Sequence, residues 1–222
     1  METLNADFSQ RVVVDTAAAD WQPSPSPTVW RKRLDLTGAK EASRVTSVVR
    51  YDPDSAFHSH PHPDGEEIFV LDGIFSDEHG DYPAGTFLLN PEGFEHAPFS
   101  KPGCVLFVKL RQYPGTARRH VTIDTNAADW VADATPGIET LRLYAEPGYP
   151  ETIRLVRLDS GAALPPDGDT GGAELFVLDG DLDDGDQQVE TGAWIRYPPG
   201  RRPGLYSASG ARFYLKTGHL RP

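Results

Sequence analysis

Apolar positions in this chain fall in short bursts, with no stretch that keeps the three-and-four spacing of a buried helical face. Thr46–Tyr51, Glu67–Leu71, Thr86–Leu89 and Val105–Leu110 are rich in β-branched, aromatic and aliphatic residues and end at Gly, Pro or Asp, which predicts strands. The 21 Gly and 20 Pro punctuate the rest and leave little room for helices. The longest apolar runs, such as Cys104–Val108, are far shorter than the ~18 residues of a bilayer span. A soluble all-β chain is expected.

The pattern occurs twice. Val12–Trp21 matches Val121–Trp130 at a shift of 109 residues, and Arg33-Leu34 matches Arg142-Leu143 at the same shift. From Val45 to Leu110 a shift of 107 holds without a gap, and 18 of the 66 pairs are identical, against roughly 4 from composition alone. The best-kept stretch is Glu67–Gly73 against Glu174–Gly180. Asp72-Gly73 and Asp179-Gly180 read as hairpin punctuation. Antiparallel sheets of this size hide their edges by closing into barrels or jelly rolls, so two such barrels in tandem are expected, residues 1–113 and 114–222. The segment Pro23–Pro27 reads as an ordered extended arm, because its counterpart Ala132–Pro136 lies inside the second copy.

Charge narrows the partners. With 21 Lys+Arg against 33 Asp+Glu the net charge is −12, too negative for a surface that displaces phosphate counterions, so nucleic acid is not an expected partner. A single cysteine, Cys104, forms neither an internal disulfide nor a cysteine-rich zinc site. It sits on an apolar strand and reads as core. Met1–Gln10 lacks a basic segment followed by an apolar one, so a cytoplasmic location and no membrane association are expected.

Five of the seven histidines, His58, His60, His62, His79 and His96, lie in the first copy. His60 and His62 are two apart, so on an extended strand both rings point to one face. Glu66 follows the turn-forming Pro63-Asp64-Gly65, and His96 lies beyond a Gly- and Pro-marked series. In the second copy His58, His60, His62, Glu66 and His96 become Pro165, Asp167, Asp169, Ala173 and Pro203, whereas Glu67 is kept as Glu174. The residues lost together read as a site; Glu67 reads as structural. His58 reads as a neighbour and His79 as solvent-facing, while His120 and His219 receive no role.

The stretch His60-x-His62-x3-Glu66-x6-Gly73, followed by Gly85-x5-Pro91-x-Gly93-x2-His96, resembles both halves of the cupin signature. Phe75–Thr86 and Gly103–Leu110 are most similar to ChrR-like cupin domains. Two positions depart from the pattern: Asp54 stands where a glycine is usual and Ser100 where an asparagine is usual. The resemblance implies a small double-stranded β-helix that holds one divalent transition metal through His60, His62, Glu66 and His96. Zinc is the first expectation, with iron, manganese or nickel as alternatives, since three imidazoles and a carboxylate suit them all. The second copy is expected to lack the metal.

Resemblance to ChrR-type anti-sigma factors implies a regulatory or sensory metal-dependent binding protein. Their sigma-binding domain carries a His-x3-Cys-x2-Cys motif that a one-cysteine chain cannot contain, so that activity is not carried over. The alternative is a non-haem dioxygenase acting on a diketone or hydroxyacetophenone, with Phe57, Phe69, Phe87 and Phe99 as candidate pocket aromatics. A third reading leaves the metal as a brace for the barrel. Expected partners are a small molecule or a protein, and a second copy of the chain, since many cupins dimerise.

Overall fold

The computed structural model describes residues 3–38, 43–167, 171–200 and 202–220. Among them every regular element is a strand, and no helix is long and apolar enough to cross a membrane. The chain packs as two compact units. Unit 1 is Asp20–Ala128 with the segment ending at Ala6; unit 2 is Asp7–Ala19 with the chain from Asp129 onward.

The main sheet of unit 1 runs in the spatial order Val121–Asp124, Thr86–Asn90, Glu66–Asp77, Cys104–Leu110, Arg44–Tyr51, Val29–Thr37, Gln22–Pro23. Unit 2 repeats it as Val12–Asp15, Ala193–Tyr197, Ala173–Asp183, Ala211–Thr217, Thr152–Leu158, Ile138–Ala145, Val131–Ala132. Each is an antiparallel jelly roll closed by shorter strands, such as Ser55–Ala56 on Phe99–Ser100. Val12–Asp15 pairs with Ala193–Tyr197 of unit 2, and its copy Val121–Asp124 pairs with Thr86–Asn90 of unit 1. The sequence repeats therefore exchange one outer strand, and no single cut in the chain separates the packed units.

Inside unit 1, Ile68, Val70, Leu88, Leu106 and Val108 meet Tyr51, Phe75 and Tyr82 in one core. Cys104 belongs to that core at 3% exposure, as its strand position predicts. Burial raises its pKa to about 11, the hydroxyl of Ser100 opposing.

Asp72-Gly73 is not a hairpin turn. The Glu66–Asp77 strand passes straight through it, and the pairing slips between Val105 and Leu106, leaving Leu71 as the extra residue of a bulge. Gly73 has φ 73°, and a Cβ there would collide with the Gly103 carbonyl oxygen. A Cβ on Gly180 would likewise collide with the Gly210 carbonyl oxygen, so the repeat keeps all four glycines for one close backbone crossing. Asp54, the departure from glycine, carries φ 60°, a conformation Asp tolerates better than most residues. The Pro23–Pro27 segment is ordered: Gln22–Pro23 pairs with the Val29–Thr37 strand, and Ser24 N–H donates to the Val29 carbonyl.

Candidate metal centre

The site is assembled by backbone pairing. His60–Pro61 lies antiparallel to Glu95–His96 with His60 opposite His96, so one imidazole comes from each strand. His62 follows on the same face, held by its N–H to the Phe94 carbonyl at 2.9 Å and by its own carbonyl, which accepts from Gly65 and Gly93. The Pro63–Gly65 turn then delivers Glu66 at the start of the long strand. Nitrogens of His60, His62 and His96 all lie within 4.8 Å of one another. His62 Nε2 and His96 Nε2 are 2.9 Å apart, and Glu66 Oε2 stands 3.4 and 3.5 Å from them.

Surrounding groups orient these donors. His96 Nδ1 lies 3.0 Å from Asp77 Oδ2, and His60 Nδ1 lies 2.9 Å from the His58 carbonyl. A carboxylate and a carbonyl only accept, so both rings carry their proton on Nδ1 and turn an Nε2 lone pair to the centre. Asp77 Oδ1 accepts in turn from the Tyr82 hydroxyl and the His79 N–H. Asn90 Nδ2 donates to Glu66 Oε2 at 3.0 Å. Burial raises the Glu66 pKa, with His96 and Asn90 opposing. Burial, then the charge of His60, lowers His62 to about 4. The donor set fits a cation: ligands about 2.1 Å from one ion stand about 2.9 to 3.4 Å apart, close to the separations between His62, His96 and Glu66.

The four donors share the wall of a cavity of about 370 Å³. Of the expected aromatics only Phe57 lines it. Phe69 and Phe87 occupy the opposite faces of their strands, and Phe99 is exposed; Tyr51 and Phe75 take the inward places, each edge-on in a ring pair. The side chains of His58 and His79 are exposed. His120 stacks on Phe94 at 4.8 Å, and His219 Nε2 meets Glu174 at 2.9 Å. Glu67 sits in register with Lys109 exactly where Glu174 sits with Lys216, a cross-strand pair kept in both copies. Asp77 and Asn90 went unrecognised in the sequence. The one available signal was that Asp77 recurs as Asp184.

In unit 2 the equivalent positions hold exposed Pro165 and Asp167, buried Ala173 and half-buried Pro203; Asp169 lies outside the described residues. Asp167 is 3.1 Å from Arg202 Nη2. Asp184 accepts from Arg11 Nη2 at 2.6 Å and from the Tyr197 hydroxyl at 2.8 Å. Burial raises its pKa, but these donors and the backbone outweigh that and hold it below the usual value.

The model of the ChrR cupin-like domain family matches twice, over residues 9–114 and 118–221. No curated protein matches the chain. Among solved structures, a candidate dioxygenase from Nostoc punctiforme superposes with TM-score 0.79 at 14% identity, covering 96% of this chain and 85% of that one. The pirin YhhW of Escherichia coli in complex with nickel(II) gives 0.67 at 13%, covering 94% and 98%. A salicylate 1,2-dioxygenase from Pseudaminobacter salicylatoxidans gives 0.65 at 12%, covering 96% and 85%. At such identities these structures share the fold. The chain belongs to the ChrR cupin-like domain family, as a tandem pair of cupins.

Proposed function

We propose that this protein is a metal-dependent small-molecule receptor of regulatory or sensory type, in which His60, His62, Glu66 and His96 hold one divalent transition metal beside the cavity of unit 1. The observation that carries this reading is that the four donors line a cavity of about 370 Å³, as a metal that only braced a packed core would not require. The ion, when bound, would supply Lewis-acid polarisation of a ligand oxygen. Asp77 fixes the His96 ring, Asn90 fixes Glu66, and Tyr51, Phe57 and Phe75 keep the adjoining space apolar. Zinc is the first candidate, with iron, manganese and nickel behind it. The family match supports the regulatory role, and the chain's single cysteine argues against a sigma-binding zinc motif. Cytoplasmic placement and a homodimer belong to the same proposal.

Dioxygenase chemistry is the second reading, favoured by the open cavity and by the fold shared with the salicylate 1,2-dioxygenase. Element analysis of the purified protein and of His96→Ala and Glu67→Gln tests the centre: one metal per chain in the parent and in Glu67→Gln, and none in His96→Ala. A metal-free parent would refute it. Oxygen uptake with a diketone after anaerobic iron loading, absent in His96→Ala, would move the assignment to the dioxygenase; metal without uptake supports the receptor.

A further inference from the structure

Two polar side chains on the far wall of the unit 1 cavity have no hydrogen-bond partner among the described residues. Arg31 and Ser47 both line the cavity, and both Arg31 Nε and Ser47 Oγ are buried without a hydrogen bond. Arg31 makes no ion pair among the described residues. The neighbouring cavity arginine, Arg111, differs in having Asp64 at 3.7 Å. Burial, and then the like charge of Arg33, both lower the Arg31 pKa. A guanidinium in these surroundings is missing an anion, because a partly buried cation without a counter-charge is costly to keep.

Position adds the shape of the ligand. Arg31 pairs with Val49, and Ser47 lies two residues along that same strand. The Val29–Thr37, Arg44–Tyr51, Cys104–Leu110 and Glu66–Asp77 strands are consecutive in the sheet, and Arg31 lies in line with Val49, Leu106 and Val70, so Arg31 and Glu66 stand three strand spacings apart across the sheet and four residues apart along it, about 20 Å measured along the wall. Between them the wall is apolar, with Val49, Leu106, Val108 and Ile68. One planar guanidinium matches one carboxylate. The second copy supplies a control: Thr140 pairs with Val156 where Arg31 pairs with Val49, and Arg154 stands where Ser47 does. The copy without the histidines also lacks this pair.

We propose that Arg31, assisted by Ser47, receives the carboxylate of an apolar carboxylic acid whose opposite end extends toward the histidine cluster. The far end rests on the metal-dependent reading above; the carboxylate contact does not.

The test titrates the full-length zinc-loaded protein by calorimetry with hexanoate, 3-phenylpropanoate and 4-phenylbutanoate, each beside its primary amide. At least one acid should bind about tenfold or more tighter than its amide, the scale of one charge-assisted pair. Arg31→Gln should erase that preference with zinc content unchanged, Arg31→Lys should keep part of it, and Ser47→Ala should weaken it a few-fold. The assignment is overturned if no acid outbinds its amide, or if the preference survives in Arg31→Gln, in which case the acid is held by the zinc. The same titrations on chelated protein separate the two proposals. An Arg31-dependent acid preference in a chain that takes up none of zinc, iron, manganese or nickel supports this inference and refutes the metal centre, whereas one metal per chain with no acid preference does the reverse.

Discussion

Replacing Asp77 by Asn asks whether the histidine cluster is a metal centre or merely a packed polar core. Asp77 Oδ2 accepts from His96 Nδ1, while Oδ1 accepts from the Tyr82 hydroxyl at 3.0 Å and the His79 N–H at 2.8 Å. All three partners donate. A carboxylate can face donors on both sides, but an amide must turn its own NH2 toward one of them, so His96 loses either its acceptor or the fixed position of that acceptor. Removing such a partner typically weakens metal binding about 10- to 100-fold. With zinc held at 1,000 times the parent dissociation constant the metal stabilises the native state by about 4.1 kcal/mol, and a 10- to 100-fold loss reduces this to about 2.7 or 1.4 kcal/mol. At about 2 to 4 °C per kcal/mol for a chain of this size, the drop in Tm caused by a chelator should shrink by about 3 to 11 °C. The assay is the unit 1 melting transition with and without chelator, paired with competition for zinc against an indicator dye. Asp184→Asn, the same position in unit 2, should leave zinc affinity unchanged. If Asp77→Asn holds zinc as tightly as the parent, the proposed support of His96 by Asp77 is wrong.

Two further outcomes concern the scaffold. Gly73→Ala puts a Cβ against the Gly103 carbonyl at positive φ and should cost about 3 kcal/mol or more, whereas Gly93→Ala, with φ 84° and nothing within 4 Å, should cost only about 1 to 2 kcal/mol of backbone strain; urea midpoints compare them, and equal losses would contradict the crossing. Cys104, at a pKa of about 11, has about one thiol in a thousand ionised at pH 8. The native protein should therefore resist iodoacetamide that labels the urea-unfolded chain, and prompt native labelling would refute its burial.

How much was legible in the sequence followed from how local each signal was. The strands were legible because β-branched runs bounded by Gly and Pro are short-range features, and the histidine spacing was legible because parity on a strand is too. Asp77 was not, because its role depends on a partner 19 residues away that only the closed sheet brings within 3.0 Å. Phe75 was missed as a pocket aromatic for a related reason. Val70 and Phe75 both face the core although five residues apart, an odd separation that simple alternation forbids and the bulge at Leu71 permits. A repeat, finally, says which segments are alike but not which copy each one pairs with, so the exchange of Val12–Asp15 and Val121–Asp124 had no signature in the chain.

The duplication also bears on whether the histidine cluster is a by-product of the fold. Unit 2 keeps the sheet order, the glycine crossing and the buried Glu174–Lys216 register pair, so those features do not depend on the site. It keeps Asp184 as well, yet there the carboxylate is engaged by Arg11 and by Tyr197, which replaces Asn90. Pro203 leaves no imidazole for it to orient, and Ala173 leaves no acid where Glu66 stands. A buried aspartate thus persists by exchanging one cationic or hydrogen-bonding partner for another, while the surrounding donors are replaced by apolar or differently paired residues. Unit 1 brings several buried titratable groups together at a desolvation cost that unit 2 avoids with the same strands. Such a cost is compensated in unit 1 when a cation binds to those groups, and that is the physical reason to read the cluster as a site.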